Sequence, residues 1–122
     1  MHYADTDFFL ALIKGEDWLK KNATKIYNEN KGNIRTSLPV MIELMLLASE
    51  YKLDPETIVT SSVIIAYMDE GEKEISLIAS HLIKEKNMSV FDAFVTASAG
   101  TDAVISSDKN FDKIGMKRIK LE

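Results

Sequence analysis

Tyr3-Ala4-Asp5-Thr6-Asp7-Phe8-Phe9-Leu10-Ala11-Leu12-Ile13 is the stretch on which the reading of this chain turns. Its brief extended start gives way to the helically spaced Phe8, Phe9, Leu12 and Ile13, which predicts a short strand ending at Asp5 and a helix beginning at Asp7. Asp5 and Asp7 sit in an otherwise apolar segment. An acid taken out of water with no Lys or Arg beside it needs a hydrogen bond, a proton or a metal. Helix capping is the plain alternative, because an Asp5 or Thr6 side chain can satisfy the first free N–H groups of a helix. Strand ends of this kind are also where open α/β sheets hold their ligands.

Three more carboxylates stand in similar settings: Glu43 within Leu38 to Ala48, Asp92 within Val90 to Val95, and Asp108 just after Ala103-Val104-Ile105. Glu43 is the only charged residue between Arg35 and Glu50. Burying it unpaired is costly, which favours a functional role. Ser89 to Asp92 also fits a capping box, in which the acid reaches back to the N–H of the cap. Asp5 and Asp108 both follow short apolar strands, separated by helices that favour parallel crossovers. If those strands are neighbours, both acids lie at the carboxyl edge of one sheet, and a helix starting at Asp92 aims at the same edge. Carboxylates gathered there repel one another unless a cation is present. Oxygen-only, sulfur-free and histidine-poor donors suit Mg²⁺ or Mn²⁺, which hold phosphate oxygens and activate water. The residues alone therefore point to a metal-dependent phosphoryl-transfer site.

The composition narrows the setting. With 122 residues, 46% hydrophobic and 28% charged, the chain reads as a single domain over 1–122, large enough for a core of its own. The absence of cysteine excludes a disulfide framework and a zinc–thiolate site, and fits a cytoplasmic protein. The first residues carry two aspartates and no basic region, so no signal peptide is expected, and no apolar window reaches membrane length. A net charge of −4 argues against nucleic-acid binding by bulk positive charge, but not against an enzyme that reaches phosphates through cations. His2 and His81 are the only histidines, which weighs against a histidine-based hydrolase.

Along the chain, Gly15 and Glu16-Asp17 open a second helix with Trp18, Leu19, Ala23, Ile26 and Tyr27 as its apolar face. Its Lys20, Lys21 and Lys25, with Lys31 beyond, read as a solvated face or as a flank touching RNA phosphate. Asn33 to Thr36 predicts a small second strand, and Ser37 or Leu38-Pro39 starts a helix through Tyr51. Asp54-Pro55 restarts the chain as a short helix to Ser62, followed by a strand over Val63 to Tyr67. Glu74 to Lys86 is helical, with Ile75, Leu77, Ile78, His81, Leu82 and Ile83 on the apolar side. A helix from Ser89 to Ser98, a strand over Ala103 to Ser106, a helical turn and an edge strand over Met116 to Leu121 complete the pattern.

In the order and spacing of these acids the chain resembles the PIN domains, and among them the VapC-type toxins of prokaryotic toxin–antitoxin pairs. The resemblance rests on Ala4-Asp5-Thr6-Asp7, on Glu43 in its helix, on Phe91-Asp92-Ala93-Phe94, and on Ile105-Ser106-Ser107-Asp108-Lys109-Asn110-Phe111-Asp112. It implies a three-layer α/β/α, Rossmann-like sandwich with a mostly parallel five-stranded sheet, and Mg²⁺- or Mn²⁺-dependent endoribonuclease activity. Asp5, Glu43, Asp92 and Asp108 match the family's acidic quartet. In that match Asp5, Asp92 and Asp108 hold the metal and Glu43 orients or deprotonates the attacking water. Glu43 and Asp112 are further candidate ligands, and Thr6, Asp7 and Ser106 support the site. Asp7 stands where the family often has Asn or Ser.

The same resemblance implies an RNA substrate, a cognate antitoxin protein and a homodimer. Phe8, Phe9, Ile13, Trp18, Met41 and Met45 read first as core and second as a groove for an antitoxin helix. Two other readings stay open. A PIN scaffold can serve as a binding module with little activity. Haloacid-dehalogenase-like phosphatases also use Asp-x-Asp after a first strand, which would make Asp5 a nucleophile and Asp7 its acid–base partner, with Asp108 and Asp112 as the late acids. That reading leaves Glu43 and Asp92 without a task.

Overall fold

The computed structural model describes residues 1–121. In chain order it comprises β1 (His2–Tyr3), α1 (Thr6–Ile13), α2 (Lys20–Glu29), β2 (Ile34–Arg35), α3 (Leu38–Glu50), α4 (Pro55–Ile65), α5 (Glu70–Lys86), α6 (Val90–Ala99), β3 (Val104–Ser106), α7 (Asn110–Lys113) and β4 (Arg118–Lys120). Helices dominate. All strand pairs are parallel: β1 with β2, and β3 with β4. Tyr67 adds a single parallel bridge to Arg35 on the far side of β2, where its N–H donates to the Ile34 carbonyl.

The expected single five-stranded sheet is not what forms among the described residues. The five extended segments fall into two two-stranded sheets, with Tyr67 a lone bridge beside the first. β1 and β3, whose acids would share one sheet edge if the strands were neighbours, pair instead with β2 and β4. Segments of two or three residues offer few ladder bonds, so helix packing carries the architecture. The predicted strand over Val63 to Tyr67 is likewise corrected, since α4 runs on to Ile65. Asp54 caps that helix by accepting from the Glu56 and Thr57 N–H groups, Pro55 sits in its first turn, and Ile58, Val59 and Ser62 are buried. Capping and burial override the strand preference of the β-branched run.

The core is built from Phe9, Met41, Leu44, Met45, Ile58 and Val59, around which α1, α3, α4, α5 and α6 assemble. α5 packs against α4 and α6; its fully buried residues are the small Ser76, Ala79 and Ser80, and Ile75, Leu77, Leu82 and Ile83 of the expected aliphatic side pack, partly buried, against the core. Small side chains let helix backbones approach closely. Their hydroxyls cost little here, because Ser62, Ser76 and Ser80 each donate to a carbonyl of their own helix at 2.7 to 2.8 Å. His81 stays exposed and pairs with Glu56 at 2.8 Å. Trp18 is 89% exposed, because the helix expected from Glu16 begins only at Lys20. Phe9, Met41 and Met45 are fully committed to the core.

Candidate functional site

The first turn of α1 and the middle of α3 meet through one side chain. Asp5 is the N-cap of α1 and accepts the Thr6 N–H at 2.7 Å through Oδ1. Thr6 is buried, and its hydroxyl donates to Glu43 Oε1 at 2.8 Å, with Asp5 Oδ1 a longer 3.4 Å away. A hydroxyl has one proton to give, so the short bond to Glu43 takes it. Asp5 and Glu43 are thereby held on either side of Thr6, across 37 positions of sequence. The capping alternative is thus realised at Asp5.

The burial expected for these acids is not found. Asp5, Asp7 and Glu43 are exposed, and Asp92 and Asp108 half-buried. Their apolar neighbours turn inward: Phe9 and Leu10 from α1, Met41, Leu44 and Met45 from α3, Ala93 and Phe94 from α6. Helical periodicity then places the acid on the open side of the same element. A run of apolar sequence around an acid is not evidence of desolvation when the run buries one stripe.

Ser89 caps α6 by accepting the Asp92 N–H at 3.3 Å. The reciprocal bond from the Ser89 N–H to Asp92 is absent among the described residues, so only half of the capping box forms and the Asp92 carboxylate remains available. Asp92 faces a cleft shared with α7. Asp108 follows β3, its N–H donating to Ser106 Oγ at 2.9 Å and its Oδ1 accepting the Asn110 N–H at 2.9 Å. Ser106 thus orients the turn that carries Asp108. Asp7, in the first turn of α1, lines a shallow cleft toward Ile26 of α2 that Asp5 also borders.

Asp112 is engaged elsewhere. Both its oxygens accept from Arg118, at 2.9 and 2.7 Å, and the same guanidinium donates to the Ser106 carbonyl at 2.9 Å. The bond from Arg118 holds the Asp112 carboxyl below its usual range, and Asp112 in turn raises Arg118. Gly115, at φ +83°, makes the turn that brings β4 and Arg118 back beside α7. The sequence placed Arg118 only within the closing edge strand over Met116 to Leu121. No fixed spacing marks an arginine that clamps a turn six residues behind it.

As a home for Mg²⁺ or Mn²⁺ the donor set fits in kind, since every candidate ligand is a carboxylate or hydroxyl oxygen. It is incomplete in number. Among the described residues no three His, Cys, Asp or Glu side chains converge closely enough to hold an ion. Asp5 and Glu43 are brought together through Thr6, whereas Asp92 and Asp108 stand on other segments.

Comparison with curated proteins and with solved structures returned no match. Against models of protein families, residues 3–117 match the PIN domain, a span that contains Asp5, Glu43, Asp92 and Asp108 together with the helices and strands that carry them. Among the described residues no helix is long and apolar enough to cross a bilayer. The matched span covers most of the chain, and the chain belongs to the PIN domain family, whose members are generally metal-dependent nucleases.

Proposed function

We propose that this protein is an endoribonuclease of the VapC kind, hydrolysing RNA phosphodiesters with Mg²⁺ or Mn²⁺. The observation that supports it most is the bond from the Thr6 hydroxyl to Glu43 Oε1, which fixes an acid from mid-helix beside Asp5 inside a PIN-matched chain. Packing alone gives no reason for Glu43 to be so held, since it is exposed. Asp5, Asp92 and Asp108 are the carboxylates that would hold the cation. A bound divalent ion supplies charge neutralisation at the phosphate and a more acidic water. Glu43, anchored through Oε1, keeps Oε2 to orient the attacking water or accept its proton. The Thr6 N–H fixes Asp5, and the Asn110 N–H fixes Asp108, so neither turns freely away. Attack on phosphorus would leave a 5′-phosphate and a 3′-hydroxyl. A cognate antitoxin and a homodimer belong to the same proposal and rest on the resemblance.

Metal-dependent stabilisation tests this against the reading as a binding module. A working site gains thermal stability when Mg²⁺ or Mn²⁺ is added, because the ion binds the folded chain. Asp5→Asn should remove that gain. A protein that binds no cation and cuts no RNA is a scaffold only.

A further inference from the structure

The charge of this chain is unevenly placed. Residues 1–108 carry ten Lys or Arg against seventeen Asp or Glu, a net −7, whereas residues 109–122 carry five against two, a net +3. A polyanion would be repelled by most of the molecule and drawn to one end of it. That end borders a cleft of about 510 Å³ between the close of α5, the start of α6, and α7. Asp92 lies in its wall.

Around Asp92 the cleft presents donors. Lys86 and Lys113 are both exposed, and neither forms an ion pair among the described residues. Asn87, held in the left-handed conformation at φ 53°, and Asn110 add side-chain amides. Half-buried Met88 and Ile114 supply an apolar floor. Two free cations and two amides over an apolar floor match a nucleotide unit: the phosphate takes the donors and the ribose or base takes the floor. An apolar peptide would leave the two ammonium groups unmatched.

Resting on the nuclease reading, we infer that this cleft is the track for the RNA strand beside the reacting phosphate, with Lys86 and Lys113 contacting backbone phosphates next to Asp92. Lys86 and Lys113 are positioning residues for substrate. They set where the strand enters, and Asp92 ties that path to the chemistry.

The test is equilibrium binding of a fluorescently labelled, unstructured single-stranded RNA in EDTA, titrated with salt, using Asp5→Asn protein so that nothing is cut. Removing two phosphate contacts with Lys86→Ala/Lys113→Ala should weaken binding roughly tenfold and lower the slope of log affinity against log salt by about 1.4, at about 0.7 per contact on a single strand. Lys86→Arg/Lys113→Arg should restore both. Lys21→Ala/Lys25→Ala removes the same charge from α2 and should change neither. All variants should melt like the parent, since these lysines are exposed. If the α2 pair lowers affinity and slope while the cleft pair does not, the strand runs elsewhere and the cleft assignment is overturned. If wild-type protein cuts RNA with cation and the cleft pair binds as the parent does, the nuclease reading stands and only the cleft fails. If wild-type protein cuts RNA with cation but no protein binds RNA in EDTA, the cleft assignment is overturned while the nuclease reading stands, and if wild-type protein neither cuts nor binds RNA with or without cation, the nuclease reading falls and takes the cleft with it.

Discussion

Thr6 and Glu43 are joined by a 2.8 Å hydrogen bond in which the threonine hydroxyl donates to the glutamate carboxylate. Thr6 is buried and Glu43 exposed, so the bond reaches from the rim of the core to an acid at the surface. It fixes the distance between the start of α1 and the middle of α3 at the point where Asp5 is also held. Thr6→Val keeps the shape and removes the donor. A hydrogen bond to a charged acceptor contributes about 1.5–3 kcal/mol, so losing Glu43's orientation should slow RNA cleavage roughly ten- to hundredfold. Thr6→Ser should retain most activity. Rates measured at fixed Mg²⁺ check this, and an unimpaired Thr6→Val protein would show that the bond has no part in catalysis.

Capping and chemistry separate at the start of α6. Ser89→Ala removes the acceptor for the Asp92 N–H and should cost about 1 kcal/mol of stability, lowering the melting temperature by about 3–6 °C with cleavage retained. Asp92→Asn should leave the melting temperature within about 2 °C, since its carboxylate makes no capping bond, and should abolish cleavage. Paired melting curves and activity assays decide between the two. A reversal of the two effects would make Asp92 a structural residue.

The core predicts a contrast between neighbours on α3. Leu44 is 0% exposed and Leu46 is 45% exposed. Leu44→Ala should destabilise by about 2–5 kcal/mol through lost burial and a residual cavity, whereas Leu46→Ala should fall within about 1 kcal/mol. Urea unfolding measures both. Equal losses would mean that α3 is rotated from the orientation described, and Glu43 with it.

The Asp112–Arg118 pair gives a pH signature. Arg118 holds the folded Asp112 carboxyl below its unfolded value, so the pair's contribution is complete above about pH 3.9 and is lost as pH falls through the lower folded value. Asp112→Asn should therefore melt below wild type near neutral pH, and the gap should close in strong acid. Melting temperatures followed from neutral pH downward test this. A gap that does not change with pH would show that the charge of Asp112 contributes nothing.

What the sequence made legible follows from how local each signal is. Asp54-Pro55 and Ser89 carry their instructions within one helical turn, and the structure uses both as caps. The helix from Leu38 was readable because Pro39 and a long apolar run agree. Sheet assembly was not, since β1 pairs with β2 and β3 with β4 through strands of only two or three residues, too short for periodicity to specify a partner. Val63 to Ile65 read as strand by type and is helix by packing. The acids were found as residues but misjudged in setting: apolar neighbours marked the buried stripes of α1 and α3, while Asp5 and Glu43 occupy the open sides. Thr6 was legible only as part of a motif, and its bond to Glu43 spans too much sequence for spacing to suggest. Trp18 shows the opposite error, a large apolar residue placed in the core by type and left at the surface by a helix that starts later.

The most direct measurement is cleavage of a single-stranded RNA by purified protein with Mg²⁺, with Mn²⁺ and with EDTA, run beside Glu43→Gln. The substitution preserves size and the acceptor for Thr6 but removes the carboxylate that would orient or deprotonate water. The account predicts cation-dependent cutting by the wild type, none in EDTA, and a rate lower by roughly a hundredfold or more in Glu43→Gln at unchanged melting temperature. Cutting that persists in EDTA, or that Glu43→Gln performs as fast as wild type, would contradict it.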